Sequence, residues 1–230
     1  MNTRQTVEAS YDQIAEHYLA GKDPNDAITF AALEELARGV PQGARALDLG
    51  CGAGVLVTHW LAQRFEVTGV DVSARQLELA QHHVPTARFL KADLTELDLP
   101  AESVDAVVAF YSIIHVPRVE HPALVRRIYR WLRPGGRFLV TWKVNAWEGE
   151  EQNWEGWGAP MWWSHHDAET NLALLREAGF VIQSAEPRTS GDETWVWVLA
   201  CKEHVKAALC RASRGRADGS VQRVGLPFCL

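Results

Sequence analysis

Three carboxylates in this 230-residue chain each follow or interrupt a short apolar run. Asp48 sits within Ala46-Leu47-Asp48-Leu49, Asp71 closes Glu66–Val70, and Asp93 follows the stretch Ala87–Leu90. Directly after the first comes Gly50-Cys51-Gly52-Ala53-Gly54. Glycine at every second position permits positive φ and lets a ligand lie against bare backbone. Dinucleotide sites use Gly-x-Gly-x-x-Gly, which seats a pyrophosphate on a helix N-terminus. The tighter spacing here, with Asp48 just before it, suits a ligand without phosphates that carries a cationic amine. Asp71 lies 21 residues after Gly50. An acid at that distance, ending a second strand, accepts hydrogen bonds from two ribose hydroxyls. Asp93 ends a third strand in the same manner and is placed to accept from an adenine amino group, with Val72 and Leu94 against the faces of the base. Three acids crowded at one sheet edge repel one another. A bound cation explains them better than folding does.

Two further groups could do chemistry. The apolar run Val104–Phe110 opens into Tyr111-Ser112-Ile113-Ile114-His115. His115 thus falls on the edge where the acids gather, and at an ordinary pKa near 6.5 its neutral form can accept a proton. A hydrogen-bonded structural histidine accounts for the same residue. Farther on, Trp142, Trp147, Trp154, Trp157, Trp162 and Trp163 alternate with Glu148, Glu150, Glu151 and Glu155. Aromatic faces beside carboxylates suit an amine or another apolar cation, and a packed flap with a solvated acidic edge is the plainer alternative. No Cys-x-x-Cys or ligand-spaced His points to a metal.

These residues need a frame, and the pattern supplies one. Residues 6–20 bring Val7, Ile14, Ala15 and Tyr18 to one helical face with Tyr11 nearby, and a second helix covers about 25–38. Strands are expected at 44–49, 66–70, 87–90, 104–110, 137–142, 180–185 and 193–201. Ser73 and Gln76 have capping-box spacing for a helix at 74–82, and Ser164 and Asp167 are expected to cap a later helix that Gly179 closes. Arg133-Pro134-Gly135-Gly136 should stop the helix at 120–132. Alternating strands and helices predict an α/β fold, a Rossmann-like doubly wound sheet of seven mostly parallel strands with helices on both faces. The short Pro187–Asp192 link permits only a hairpin, so one late strand should run antiparallel.

Length argues for one domain. Net charge is −6, although residues 202–230 hold six Lys/Arg against two Asp/Glu. The acidic body argues against a phosphate-backbone partner. Four widely spaced cysteines, a polar N-terminus and no apolar run of about 18 residues make the cytoplasm the expected compartment and no membrane the expected partner. Residues 203–230 have no hydrophobic period and are expected to lack packed structure.

The stretches Leu47–Gly54, Gly69–Ser73, Ala92–Leu94, Asp105–Pro117 and Leu132–Gly136 together resemble the class I S-adenosylmethionine (SAM) methyltransferases, in particular the bacterial small-molecule type (types 11 and 25). The resemblance covers about residues 44–200. It implies a domain at 1–202, with cap helices at 1–40 and an acceptor flap at 143–163, which uses SAM as cofactor and methylates O, N or S of a small molecule. Asp48, Gly50, Cys51 and Gly52 would face the methionine part, Asp71 the ribose, and Asp93 with Val72 and Leu94 the adenine. Tyr11, Tyr18, Phe110 and Tyr111 would complete the cofactor site. His115, Trp157 and Trp162 would meet the acceptor, His115 as base near the transferred methyl. The Asn/Asp-Pro-Pro-Tyr/Phe element of enzymes that methylate DNA bases is missing after the fourth strand. An RNA or protein methyltransferase, and a non-catalytic SAM-binding partner protein, remain the alternatives.

Overall fold

The computed structural model describes residues 2–190 and 193–204; most of the basic tail, from 205 on, lies outside the described residues. Helices α1 (Thr3–Ala20) and α2 (Ala27–Ala37) precede β1 (Arg45–Leu49), α3 (Val57–Ala62), β2 (Glu66–Asp71), α4 (Ala74–His83), β3 (Arg88–Lys91) and β4 (Val104–Ala109). Then come α5 (His121–Trp131), β5 (Leu132–Lys143), a hairpin of β6 (Trp147–Glu151) and β7 (Met161–His165), α6 (Ala168–Ala178), β8 (Val181–Ser190) and β9 (Glu193–Cys201).

The main sheet has the order β3-β2-β1-β4-β5-β9-β8. Pairing is parallel from β3 through β5, and β9 runs antiparallel to both β5 and β8. The expected sheet and its single reversed strand are present, with helices flanking it. β4 is buried along nearly all its length, as a central parallel strand must be. Trp131, Trp142 and Phe138 are fully enclosed beside it, and each contributes about 1.5–3 kcal/mol by leaving water.

Three local expectations change. Arg133–Gly136 does not separate a helix from a strand but bulges within β5, whose pairing with β4 jumps from Val104↔Leu132 to Ala106↔Arg137. Pro187–Ser190 belongs to β8, paired as far as Ser190↔Glu193; β8 is an edge strand, where a missing N–H is tolerated. Ser164 is no helix cap: it is buried in β7, while Asp167 alone caps α6 by accepting from the Thr170 N–H.

Strand order reverses between β1 and β4, and the crevice beyond their carboxyl ends is where open α/β sheets bind ligands. The two strand ends are clasped there. The Ser112 hydroxyl donates to the Leu49 carbonyl at 2.6 Å, and the Ser112 Cβ lies so close to Gly50 that any Cβ at that position would collide with it. Gly50 also takes φ +75°.

Candidate active site

A cleft opens at this switch point, between the carboxyl ends of β1, β2 and β4 and the side of α1. Its floor is organised by Asp71. One carboxylate oxygen accepts from the Gly52 N–H at 2.8 Å and the other from the Ser73 N–H at 2.9 Å. The glycine turn is therefore shaped by the acid that faces it across the cleft. Burial pushes the Asp71 pKa up, against the pull of the Ser73 and Gly52 amides. Each oxygen keeps lone-pair capacity for a further donor.

The other acids are also held by the fold. Asp48 is 2% exposed and accepts from the Thr58 hydroxyl at 2.6 Å. Burial raises it to about 7, opposed by that hydrogen bond and assisted by the Asp71 charge. Asp93 accepts from the Thr95 amide and hydroxyl, both at 2.7 Å, and pairs with Arg4 of α1 at 3.1 Å. Each of the three acids thus has at least one partner within the fold. Asp48 still lacks a cationic neighbour among the described residues, which is the charge a ligand would bring.

A second cavity of about 850 Å³ adjoins the cleft and shares with it Gly50 and Gly52 of the glycine turn together with Tyr11, Tyr18, Phe110, Tyr111 and His115. Asp48 and Cys51 face this larger space. Its far wall is aromatic: Trp147, Trp154 and Trp163 from the hairpin segment and Trp195 from β9, with Glu151 and Glu155 at the rim. The two sequence-selected indoles line neither space. Trp157 stacks on His17 and meets Trp154 edge-on, and Trp162 acts through its backbone carbonyl. For Trp162 the alternation along β7 decides this, because neighbouring residues of a strand face opposite ways and Trp163 takes the cavity side. Tyr111, at the mouth of both spaces, takes φ +56°, an unfavourable conformation for a side-chain-bearing residue that recurs at functional sites.

His115 joins α1 to the hairpin. Its Nδ1 lies 2.8 Å from the Trp162 carbonyl and its Nε2 2.9 Å from the Tyr11 hydroxyl. A carbonyl only accepts, so Nδ1 carries the proton and Nε2 accepts from Tyr11. Burial drops the imidazole to about 4, partly offset by the bond to Trp162. Of the two readings the sequence allows, a free base and a hydrogen-bonded histidine, the ring has the geometry of the second, neutral with both nitrogens engaged. Ser164 completes this junction, accepting from the Arg118 N–H at 2.7 Å and donating to Glu148 at 2.6 Å.

The methyltransferase domain family model matches residues 46–136, from β1 into β5. Trans-aconitate 2-methyltransferase of Variovorax paradoxus is 30% identical over 176 residues, which cover 74% of this chain and 67% of that protein. The chain belongs to the class I SAM-dependent methyltransferases. Phosphoethanolamine N-methyltransferase 3 of Arabidopsis thaliana is 31% identical over 153 residues, 64% of this chain and 31% of that protein. The chain thus spans about a third of the length of the plant relatives it matches. A SAM-dependent methyltransferase from Mesorhizobium loti has the same fold, with TM-score 0.62 and 24% identity over 78% of this chain and 100% of that chain.

The residues present fit the family's cofactor. Gly52, at φ +52°, leaves its cleft side bare, Asp71 retains acceptor capacity, and Asp48 is a buried acid with no cation beside it among the described residues. Tyr11, Tyr18, Gly50, Gly52, Asp71, Val72, Asp93, Leu94, Phe110 and Tyr111, all selected from sequence, line the cleft. Arg4 and Gln76 were missed. Arg4 carries no signal, since nothing local shows that α1 returns to β3. Gln76 was read only as half of a capping box, and that box is half made: Ser73 Oγ accepts from the Gln76 N–H at 3.0 Å, but the Ser73 N–H is already given to Asp71.

Proposed function

We propose that this chain binds SAM at the switch-point cleft and transfers its methyl group to O, N or S of a small-molecule acceptor in the adjoining aromatic cavity. The observation that carries the reading is the junction of the two spaces at Tyr11 and His115. A ligand on the glycine turn and a molecule among the indoles meet at that wall. SAM, when bound, supplies a methyl group already activated on a sulfonium. The protein's share is alignment and exclusion of water.

Within this reading Asp71 accepts from the ribose hydroxyls, Asp48 faces the cationic amine, and Asp93 with Val72 and Leu94 holds the base. Tyr18, Phe110 and Tyr111 close the remaining sides. Tyr11 presents its hydroxyl oxygen to the acceptor while its own proton points at His115 Nε2. An acceptor proton passes to Tyr11 as the Tyr11 proton passes to His115. His115 is a weak base, so this hand-over runs together with methyl transfer, as the acceptor N–H or O–H turns acidic. Burial and the neighbouring Tyr18 and Asp71 push the Tyr11 phenol up, which disfavours a free tyrosinate and favours the concerted route.

The names of the relatives span phosphoethanolamine and trans-aconitate, so likeness does not select an acceptor. The walls favour an amine: the carboxylates Glu151 and Glu155 stand beside the rings, and both lining lysines are engaged, Lys143 by Glu193 and Trp195 and Lys22 by the Tyr18 hydroxyl and ring. Residues 1–202 form the catalytic unit of this proposal and 143–163 its acceptor flap. Among the described residues no helix is long and apolar enough to cross a membrane. The free thiols of Cys51 and Cys201 support a cytoplasmic setting. Calorimetry with SAM, followed by labelled-methyl transfer to a panel of amines, carboxylates and thiols, tests the reading. Failure to bind SAM would overturn it; binding without transfer to any acceptor would favour a non-catalytic partner.

A further inference from the structure

His165, the last residue of β7, lines the large cavity and is 5% exposed. Its Nδ1 is fully enclosed and lacks a hydrogen-bond partner among the described residues. Nε2 is the ring nitrogen that remains to face the cavity. A polar ring buried without partners is costly, and folded proteins seldom keep one without cause. Neither the glycine turn nor the Tyr11–His115 contact makes use of it.

Its place along the strand says what it would meet. Trp163 and His165 are two residues apart, so their side chains share the cavity face of β7. The Trp163 ring lies against His115, with centroids 4.6 Å apart, and His115 in turn holds the Tyr11 hydroxyl. His115, Trp163 and His165 thus step outward along one wall. Two residues of strand advance about 7 Å, which sets His165 beyond the Trp163 ring and away from the transferred methyl.

The charge state of the ring says which polar group it suits. Burial holds the imidazole below its ordinary pKa, and the Lys143 and Arg118 charges act in the same direction. The ring is therefore neutral near pH 7. The backbone carbonyls of Asn145 and His166 pull the other way, and a carbonyl attracts an N–H but repels a lone pair. The proton accordingly stays on the enclosed Nδ1, beside the main chain, and Nε2 turns a lone pair to the cavity.

We propose that His165 is a specificity residue for the methyl acceptor, its Nε2 accepting a hydrogen bond from a hydroxyl or N–H at the far end of a flat amine. The body of that amine lies along Trp163 and its reacting nitrogen reaches Tyr11. This rests on the reading of the aromatic cavity as the acceptor site.

Two pairs of amines that differ by one hydroxyl test it: tyramine against 2-phenylethylamine, and 5-hydroxytryptamine against tryptamine. Calorimetry on the complex with S-adenosylhomocysteine reads their affinities without turnover. In wild type the hydroxyl should improve binding about tenfold in at least one pair. His165→Phe keeps a ring and should abolish that advantage, whereas His165→Gln puts an amide near the Nε2 position and should restore most of it. Affinity for S-adenosylhomocysteine should stay within twofold of wild type in both variants, and the ligand-free melting temperature of His165→Phe should hold level or rise. No hydroxyl preference in wild type, or an equal preference in His165→Phe, would overturn the proposal. So would loss of stability with all four amines weakened alike, the mark of a merely structural ring. Wild type that binds S-adenosylhomocysteine but none of the amines would overturn this inference and leave the cofactor site standing. Failure to bind S-adenosylhomocysteine at all would instead overturn the proposed function.

Discussion

The cofactor cleft and the acceptor cavity share a wall but are built in opposite ways. In the cleft the acids and the glycine turn are tied chiefly by contacts short in sequence: Asp71 to Ser73 and Asp93 to Thr95 each span two residues, and Gly52 to Asp71 spans 19, with Arg4 on Asp93 and Ser112 on Leu49 as the long-range additions. Around the acceptor cavity they are long. His115 reaches Trp162 across 47 residues, Arg118 reaches Ser164 across 46, and the Ser10 hydroxyl reaches the Pro160 carbonyl across 150. One region is assembled by consecutive strand–helix units, the other by a hairpin that must fold back onto α1 and the turn after β4. Damage on one side should therefore leave the other largely intact.

The strongest test of that separation is Tyr11→Phe, which removes the hydroxyl between the two spaces. It should lower kcat by about 10²–10⁴-fold, with SAM affinity within a few-fold of wild type. A Tyr11→Phe enzyme of full activity would remove Tyr11 from the proton path. Next comes Asp71→Ala, which takes away the ribose acceptor and frees the Gly52 and Ser73 amides. SAM affinity should fall roughly a hundredfold, and the acceptor cavity should keep its affinity for acceptor. Unchanged SAM binding in a folded variant would end the ribose assignment.

A pH series sharpens the electrostatic half of the comparison. Asp48 titrates at about 7 in the folded chain against 3.8 for a free carboxyl. Between about pH 4 and 7 the folded protein keeps a proton that the unfolded chain has lost, so this group makes stability fall as pH rises and has no further effect above 7. A cationic ligand prefers the ionised acid. SAM should thus bind roughly twentyfold more tightly at pH 7.5 than at 5.5, and Asp48→Asn should flatten the profile. A flat wild-type profile would place the cation elsewhere. The smallest effect is expected from Trp154→Ala, which should raise the acceptor KM about fivefold and barely change SAM affinity. An equal loss of both would show that the hairpin is cofactor scaffold.

The acids, the glycine turn and the sheet were legible because their signals are local. An apolar run ending in Asp, glycines two apart and a strand–helix alternation each describe a unit that folds the same way wherever it is placed. The helices that frame the cleft were legible for the same reason, apart from their ends. The role of each Trp was not legible. Composition marks 142–163 as aromatic, but which indole turns inward depends on the β6–β7 pairing, with Gly149 opposite Trp163 and Glu150 opposite Trp162.

By itself the sequence determined the α/β architecture, the family and cleft-lining residues from Gly50 to Tyr111, since periodicity and turn chemistry act over a few residues. Tertiary structure decided what the titratable and polar groups do there. It seated Thr58 on Asp48 and Arg4 on Asp93, closed both nitrogens of His115, and released the Gln76 carboxamide from its cap into the cleft. The physical reason is that hydrogen-bond partners and burial are set by what the chain brings close in space, and a side chain's chemistry follows from those neighbours more than from its own identity.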